Sequence, residues 1–225
     1  SPMNTGNLSD APLGFIYFIL RQLADWMQNA TDTFGMEEAI QVPVNTDGDR
    51  AMQIETDRHY PFQYWHAGAS WMLLPIYEYW QCFGNQKIRL ATGDIYNDLY
   101  DFDKITHVLG MKKGGLTEAE IGEIKAKGYL DLEKDILLPL LTKQANYWEQ
   151  LCNPQYYTDI DGKMKHDPEK TQLNTGEKYL LFPAYSPENW PGGAYDSTLT
   201  ANTAMDIAAA RDGLRMTIEL ENAVN

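Results

Sequence analysis

Cysteine is scarce in this chain: Cys82 and Cys152 are the whole supply, and neither belongs to a C-x-x-C pair or a Cys/His cluster. Both thiols are expected to be free and buried, since each lies among apolar and aromatic residues, with a single disulfide between them as the alternative. Histidine is equally thin. His59, His66, His107 and His166 show no H-E-x-x-H or related spacing, so no metal and no cofactor is predicted. Long apolar runs are missing as well: the stretch from Leu13 to Leu20 is followed by Arg21 and Asp25, too short for a membrane span, and reads as a core helix. Basic residues are outnumbered, 18 against 32 acidic, for a formal charge of −14. Such a field repels nucleic acid and leaves neutral or cationic ligands as partners.

What is abundant is apolar and aromatic: 44% hydrophobic and 12% aromatic residues over 225 positions, enough for a substantial core. Phe15, Ile16, Ile19, Leu20, Leu23, Trp26 and Met27 recur at spacings of three and four and predict a helix from Pro12 to about Asn29, with Ser9 or Asp10 as its cap. Residues 35–62 carry Gly35, Pro43, Gly48 and Pro61 without a period, a long loop of the kind that more often serves a function. Residues 63–83 predict a second helix, aromatic nearly all round and hence buried, kinked or restarted at Pro75. The stretch at about 86–128 reads as a surface insertion holding a short helix from Thr117, where Glu120 completes a capping box. Leu130 to Leu151 predicts a third long helix kinked at Pro139. Residues 153–178 are polar, with a hairpin-like turn at 159–163. A last helix is expected from near Thr200, with Met205, Ile207, Ala208, Leu214 and Ile218 facing inward. The expectation is one all-α domain over residues 1–225.

Three clusters carry chemistry. In Tyr185-Ser186-Pro187-Glu188-Asn189-Trp190, Glu188 stands on a stiff backbone beside aromatic surface, where desolvation raises a carboxyl pKa and suits a general acid. A plain turn ahead of a helix is the competing reading. Asn45 and Asp47, in Val44-Asn45-Thr46-Asp47-Gly48-Asp49, put an amide and a carboxylate on a tight turn, which lacks the closing glutamate of a calcium loop. Tyr64, Trp65 and His66 combine ring faces with polar edges, the pairing that stacks on a pyranose and bonds its hydroxyls; core packing explains the same rings.

Taken together and in order, these segments resemble the catalytic domain of glycoside hydrolase family 95, the α-L-fucosidases and α-L-galactosidases. Ser186-Pro187-Glu188-Asn189 is similar to the family's T-S-P-E-N, and Thr203-Ala204-Met205-Asp206 to its T-M-D. Tyr64 to Trp71 is similar to Y-W-P-M-G-G-A-W, Val44 to Asp47 to H-N-T-D, and Tyr129-Leu130 to Trp148 to the helix containing Y-P-L-L-K. The resemblance spans roughly residues 7 to 218. It implies an (α/α)6 barrel, of which this chain holds an incomplete portion, and inverting hydrolysis of terminal α-L-fucosyl or α-L-galactosyl residues. Glu188 would protonate the leaving oxygen. Trp65 would line the sugar pocket, Tyr64, His66, Asn45, Asp47 and Asn189 would contact substrate, and Asp206 would be a support. The implied partners are an oligosaccharide or glycan and the remainder of the barrel; the implied location is periplasmic or secreted. The family's base asparagine stands in M-N-Y-W, whereas Met3-Asn4 is followed here by Thr5-Gly6, and the aspartate that polarises it would lie beyond Asn225. The alternatives are a carbohydrate-binding or scaffold domain without turnover and another (α/α)6 glycosidase.

Overall fold

The computed structural model describes residues 12–46, 51, 61–89, 105–186 and 199–225. About 53% of these are helical, in five α-helices, and two small antiparallel sheets accompany them. The expectation of an all-α domain is corrected accordingly, and the described elements are not identified as a barrel. No helix among the described residues is long and apolar enough to cross a membrane.

Helix α1, Leu13–Phe34, buries Ile16, Ile19, Leu20, Leu23, Trp26 and Ala30 along one stripe. It ends where Gly35 turns left-handed at φ 67°, and the Gly35 and Met36 amides bond the Thr31 and Ala30 carbonyls. The expected caps Ser9 and Asp10 lie outside the described residues. Helix α2, Gly68–Phe83, runs unbroken through Pro75. Its burial is one-sided: Leu73, Ile76, Tyr77 and Tyr79 are inside, whereas Trp71 is 56% exposed.

Parts of the stretch read as a surface insertion contribute to the core. Strands β1, Lys87–Arg89, and β2, Tyr129–Asp131, pair antiparallel with Ile88 opposite Leu130, both buried. Ile105, Val108, Leu109 and Ile124 join the same apolar cluster as α1 and α2. Between the strands lies α3, Glu118–Lys127, which opens with the expected capping box: the Thr117 hydroxyl accepts from the Glu120 amide and the Glu120 carboxylate accepts from the Thr117 amide.

The helix expected from Leu130 to Leu151 is two pieces, a wide π-helical stretch at Leu132–Leu137 and helix α4, Leu138–Leu151. Pro139 falls in the first turn of α4, directly behind the π-helical stretch where the Leu138 amide bonds the Glu133 carbonyl; lacking an N–H, it sits where the register changes instead of kinking a helix interior. Beyond α4, strands β3 Tyr156–Thr158, β4 Met164–His166 and β5 Lys178–Tyr179 form a sheet in the order β4-β3-β5. The turn expected at 159–163 joins β3 to β4, with Gly162 at φ 76° and the Asp159 carboxylate accepting the Asp161 and Lys163 amides.

Helix α5, Ala204–Val224, starts behind the cap residue Thr203 and buries Asp206, Ala209, Gly213, Met216, Thr217 and Leu220 against α2 and α4. The inward face is thus not the one expected: Ile207, Leu214 and Ile218 are exposed, and so is Ala208. Small and polar residues let α5 approach its neighbours closely, with the Ser70 hydroxyl bonding the Ala209 carbonyl and the Thr217 hydroxyl the Leu141 carbonyl. No disulfide joins the two cysteines, and Cys82 is exposed and Cys152 half-buried, against the expectation of burial.

Candidate functional site

Between the short helical turn Phe62–Tyr64 and α2, the chain passes Tyr64, Trp65 and His66 across a second, smaller apolar cluster formed by Ala30, Met36, Tyr147, Trp148 and Ala209. Its path is set partly by Gly68. A Cβ there would fall 2.7 Å from the Val42 carbonyl oxygen, so only glycine lets the 42–46 segment cross the start of α2. The Thr46 hydroxyl then bonds the Gln22 side chain.

A second segment closes on the first. The Tyr185 amide donates to the Tyr64 carbonyl at 2.9 Å, and the His66 imidazole meets the Pro183 carbonyl at 2.6 Å through Nε2. On the opposite side Ala184 and Thr200 exchange both backbone bonds, and the Leu181 amide donates to the Asn202 side chain. Both ends of the stretch between Ser186 and Leu199 are therefore fixed next to Tyr64 and His66. Glu188, Asn189 and Asp47 lie outside the described residues.

His66 is 3% exposed. A carbonyl oxygen only accepts, so Nε2 carries the proton; Nδ1 is bare and accepts from the Tyr147 hydroxyl at 2.5 Å. Burial pushes this imidazole down to about 4, against the Pro183 bond, which raises it. The Tyr147 phenol is held well above its ordinary value by burial and by the charge of Asp206.

Asp206, in the first turn of α5, is fully buried. Its Oδ2 accepts from the Thr203 hydroxyl at 2.7 Å, while Oδ1 has no partner of normal hydrogen-bond geometry among the described residues. Desolvation pushes the carboxyl up to about 6, opposed by the Thr203 hydroxyl and the His66 backbone N–H. Rings complete the nest: Phe34 lies 5.9 Å from Tyr64 and 5.7 Å from His66, and Trp148 lies 6.3 Å from His66.

Of the residues expected from sequence, Tyr64, Trp65, His66 and Asp206 come together. Trp65 is 9% exposed, edge-on to the exposed Trp71 at 5.6 Å. Asn45 is exposed, and no hydrogen bond joins it to the others among the described residues. Sequence reasoning missed Tyr147 and the Pro183 carbonyl. The available signal for Tyr147 was its place on the buried stripe of α4, because a buried phenol needs a partner. Beside the cluster opens a cavity of about 520 Å³ walled by Phe34, Tyr64, Tyr156 and Phe182, with Gln150 and Asn153 at hand and, among the described residues, no carboxylate, cation or imidazole in its lining. Among the described residues no three His, Cys, Asp or Glu side chains gather as metal ligands would. In comparison with known proteins, no family model, no curated protein and no solved structure matches the chain.

Proposed function

We propose that the chain is part of an inverting glycoside hydrolase of the (α/α)6 class, acting on terminal α-L-fucosyl or α-L-galactosyl residues, with Glu188 as general acid. One observation carries the reading. Residues 64–66 and 203–206, parts of two segments on which the resemblance rests, and residues 183–186, which lead into a third, are distant in sequence yet meet through the Tyr185–Tyr64 and His66–Pro183 bonds and the buried Asp206. A stretch anchored at both ends beside aromatic surface is a suitable carrier for an acid. In this reading Tyr64 and Trp65 present rings to the sugar, Asn189 contacts it, and Asp206 supports the site from behind. The exposed Ile207, Leu214 and Ile218 on α5 are a face that further barrel helices would cover, so the rest of the barrel is a partner in the proposal. A bacterial periplasmic or secreted location goes with a glycan substrate.

An inverting site needs a second group about 6.5–9.5 Å from the acid, so that water fits on the far face of the sugar. Among the described residues the cavity lining supplies rings and amides, and this supports, as a second reading, a domain that binds glycans without turning them over.

The test is hydrolysis of aryl α-L-fucoside, α-L-galactoside and α-D-glucoside by this chain and by any longer protein that contains it, each alongside Glu188→Gln. Cleavage of an L-sugar with inversion at the anomeric carbon, lost in Glu188→Gln, is the expected result. Binding of a sugar without cleavage by any form would replace the enzyme with the binding domain.

A further inference from the structure

The contact between residues 64–66 and 183–185 has a regular pattern. Two acceptor-donor pairs lie on one side, the Tyr64 carbonyl with the Tyr185 amide and the His66 side chain with the Pro183 carbonyl, while Ala184 between them bonds Thr200 on the other side. The first bond is backbone to backbone and is open to any side chain. The second depends on the identity of residue 66, where the family segment that this stretch resembles has proline.

We propose that His66 and Tyr147 are a positioning pair: a neutral imidazole, locked between the Tyr147 hydroxyl and the Pro183 carbonyl, fixes the chain that leads into Ser186-Pro187-Glu188-Asn189. The inference rests on the reading of Glu188 as the acid and gives His66 a role other than sugar contact. The imidazole is sealed from ligand, being 3% exposed and enclosed by Phe34, Tyr147 and Trp148. Both of its nitrogens are committed. Tyr147 stands on α4, 1% exposed, so the far end of the relay is fixed in the core. A donor fixed in the core and aimed at a main-chain carbonyl sets where the following residues begin, and an error of about 1 Å in a reacting group's position costs on the order of 100-fold in rate.

The test uses His66→Leu, which removes both bonds; Tyr147→Phe, which removes one with little change of shape; and His66→Gln, whose amide can donate to Pro183 and accept from Tyr147. Amide exchange at Ala184 and Tyr185 reads the clamp directly. Turnover of an aryl glycoside with a poor leaving group, against a dinitrophenyl glycoside that needs little protonation, reads the acid. Expected are faster exchange at 184–185 in His66→Leu and Tyr147→Phe, with exchange in α1 unchanged and His66→Gln close to wild type. The poor leaving group should lose roughly ten-fold or more in kcat, part of the approximately 10²–10⁴ that a general acid contributes, while the dinitrophenyl substrate loses little. Unchanged exchange at 184–185 in His66→Leu would overturn the clamp. Equal losses on both substrates, where Glu188→Gln loses only the poor one, would overturn the positioning role. If wild type cleaves neither substrate, the acid reading falls by itself, and exchange still decides whether the pair holds the segment.

Discussion

The Gln144 amide occupies the notch that Gly213 leaves in α5: a Cβ on Gly213 would fall 2.7 Å from Gln144 Cδ, and both amide atoms of Gln144 are buried without partners among the described residues. This is a close contact between α4 and α5, about two turns along α5 from Asp206. Gly213→Ala should therefore destabilise the fold by up to about 2 kcal/mol, an overpacking cost of about 1–3 less a helix-propensity gain of about 1. With Gln144→Ala in the background the notch is empty, and Gly213→Ala should become stabilising by about 1 kcal/mol. Urea denaturation of the four proteins checks this; the same sign in both backgrounds refutes the contact.

His66 and Asp206 give opposite pH dependences. The fold holds His66 neutral, its pKa down to about 4 from 6.5, so its contribution is complete above pH 6.5 and is lost as pH falls through 4. It favours protonated Asp206, pKa up to about 6 from 3.8, so that contribution is complete below pH 3.8 and is lost as pH rises through 6. Each shift is worth on the order of 3 kcal/mol, and between pH 4 and 6 the two offset one another. Relative to wild type, Asp206→Asn should gain stability as pH rises from 4 to 7, and His66→Gln should lose it over the same range. Thermal melts across that range measure both slopes; parallel curves for wild type and either variant would reject the corresponding assignment.

Helix periodicity made α1, α2 and α4 legible within a few residues, and the capping box at Thr117 and the turn at Asp159 were legible in detail because their chemistry is local. The inward face of α5 was not. An apolar count selects Ile207, Leu214 and Ile218, while close helix packing selects Ala209, Gly213 and Thr217, and the sequence does not say which requirement prevails at that interface. The strands β1 and β2 were missed for a related reason: their pairing joins residues more than forty positions apart, and short strands of three residues have no period to detect. At the site, Tyr64, Trp65 and His66 could be named from their residue types, and Asp206 from the family resemblance alone. The His66–Tyr147–Pro183 relay could not, because a tertiary hydrogen bond to a main-chain carbonyl leaves no mark in the sequence.

Lys143 is buried on α4 with its ammonium 2.7 Å from Glu38, a residue held at φ 49°. The Gly110 carbonyl, at 3.4 Å, is its other acceptor. Glu38→Gln leaves the cation in place with a neutral neighbour and should cost about 2–3 kcal/mol, the low end for a broken buried pair because Glu38 keeps some solvent. Lys143→Met removes the charge and keeps the apolar stem, and should cost less than about 1 kcal/mol. Chemical denaturation ranks the two; a larger loss for Lys143→Met would mean that the pair stabilises the fold on balance.

The cavity beside His66 makes a prediction about ligand charge as well as shape. Four rings, Phe34, Tyr64, Tyr156 and Phe182, line it, and among the described residues its lining offers amides but no ionic partner, inside a protein of charge −14. A neutral oligosaccharide can stack on these rings at no electrostatic cost, whereas a uronate or sulfated glycan meets a repulsive field with nothing to pair it. Tyr64 and Tyr156 both line it, Tyr156 being braced by His166 stacked at 4.5 Å. Tyr64→Ala keeps the backbone carbonyl that anchors Tyr185, so it removes the ring without removing the anchor. Each alanine variant should weaken a neutral glycan about 5–10-fold, roughly 1 kcal/mol for one stacked ring. Calorimetric titration with neutral and acidic oligosaccharides of equal length decides the matter: tighter binding of the acidic glycan, or affinity unchanged in both alanine variants, would place the sugar elsewhere and leave the cavity as a packing defect.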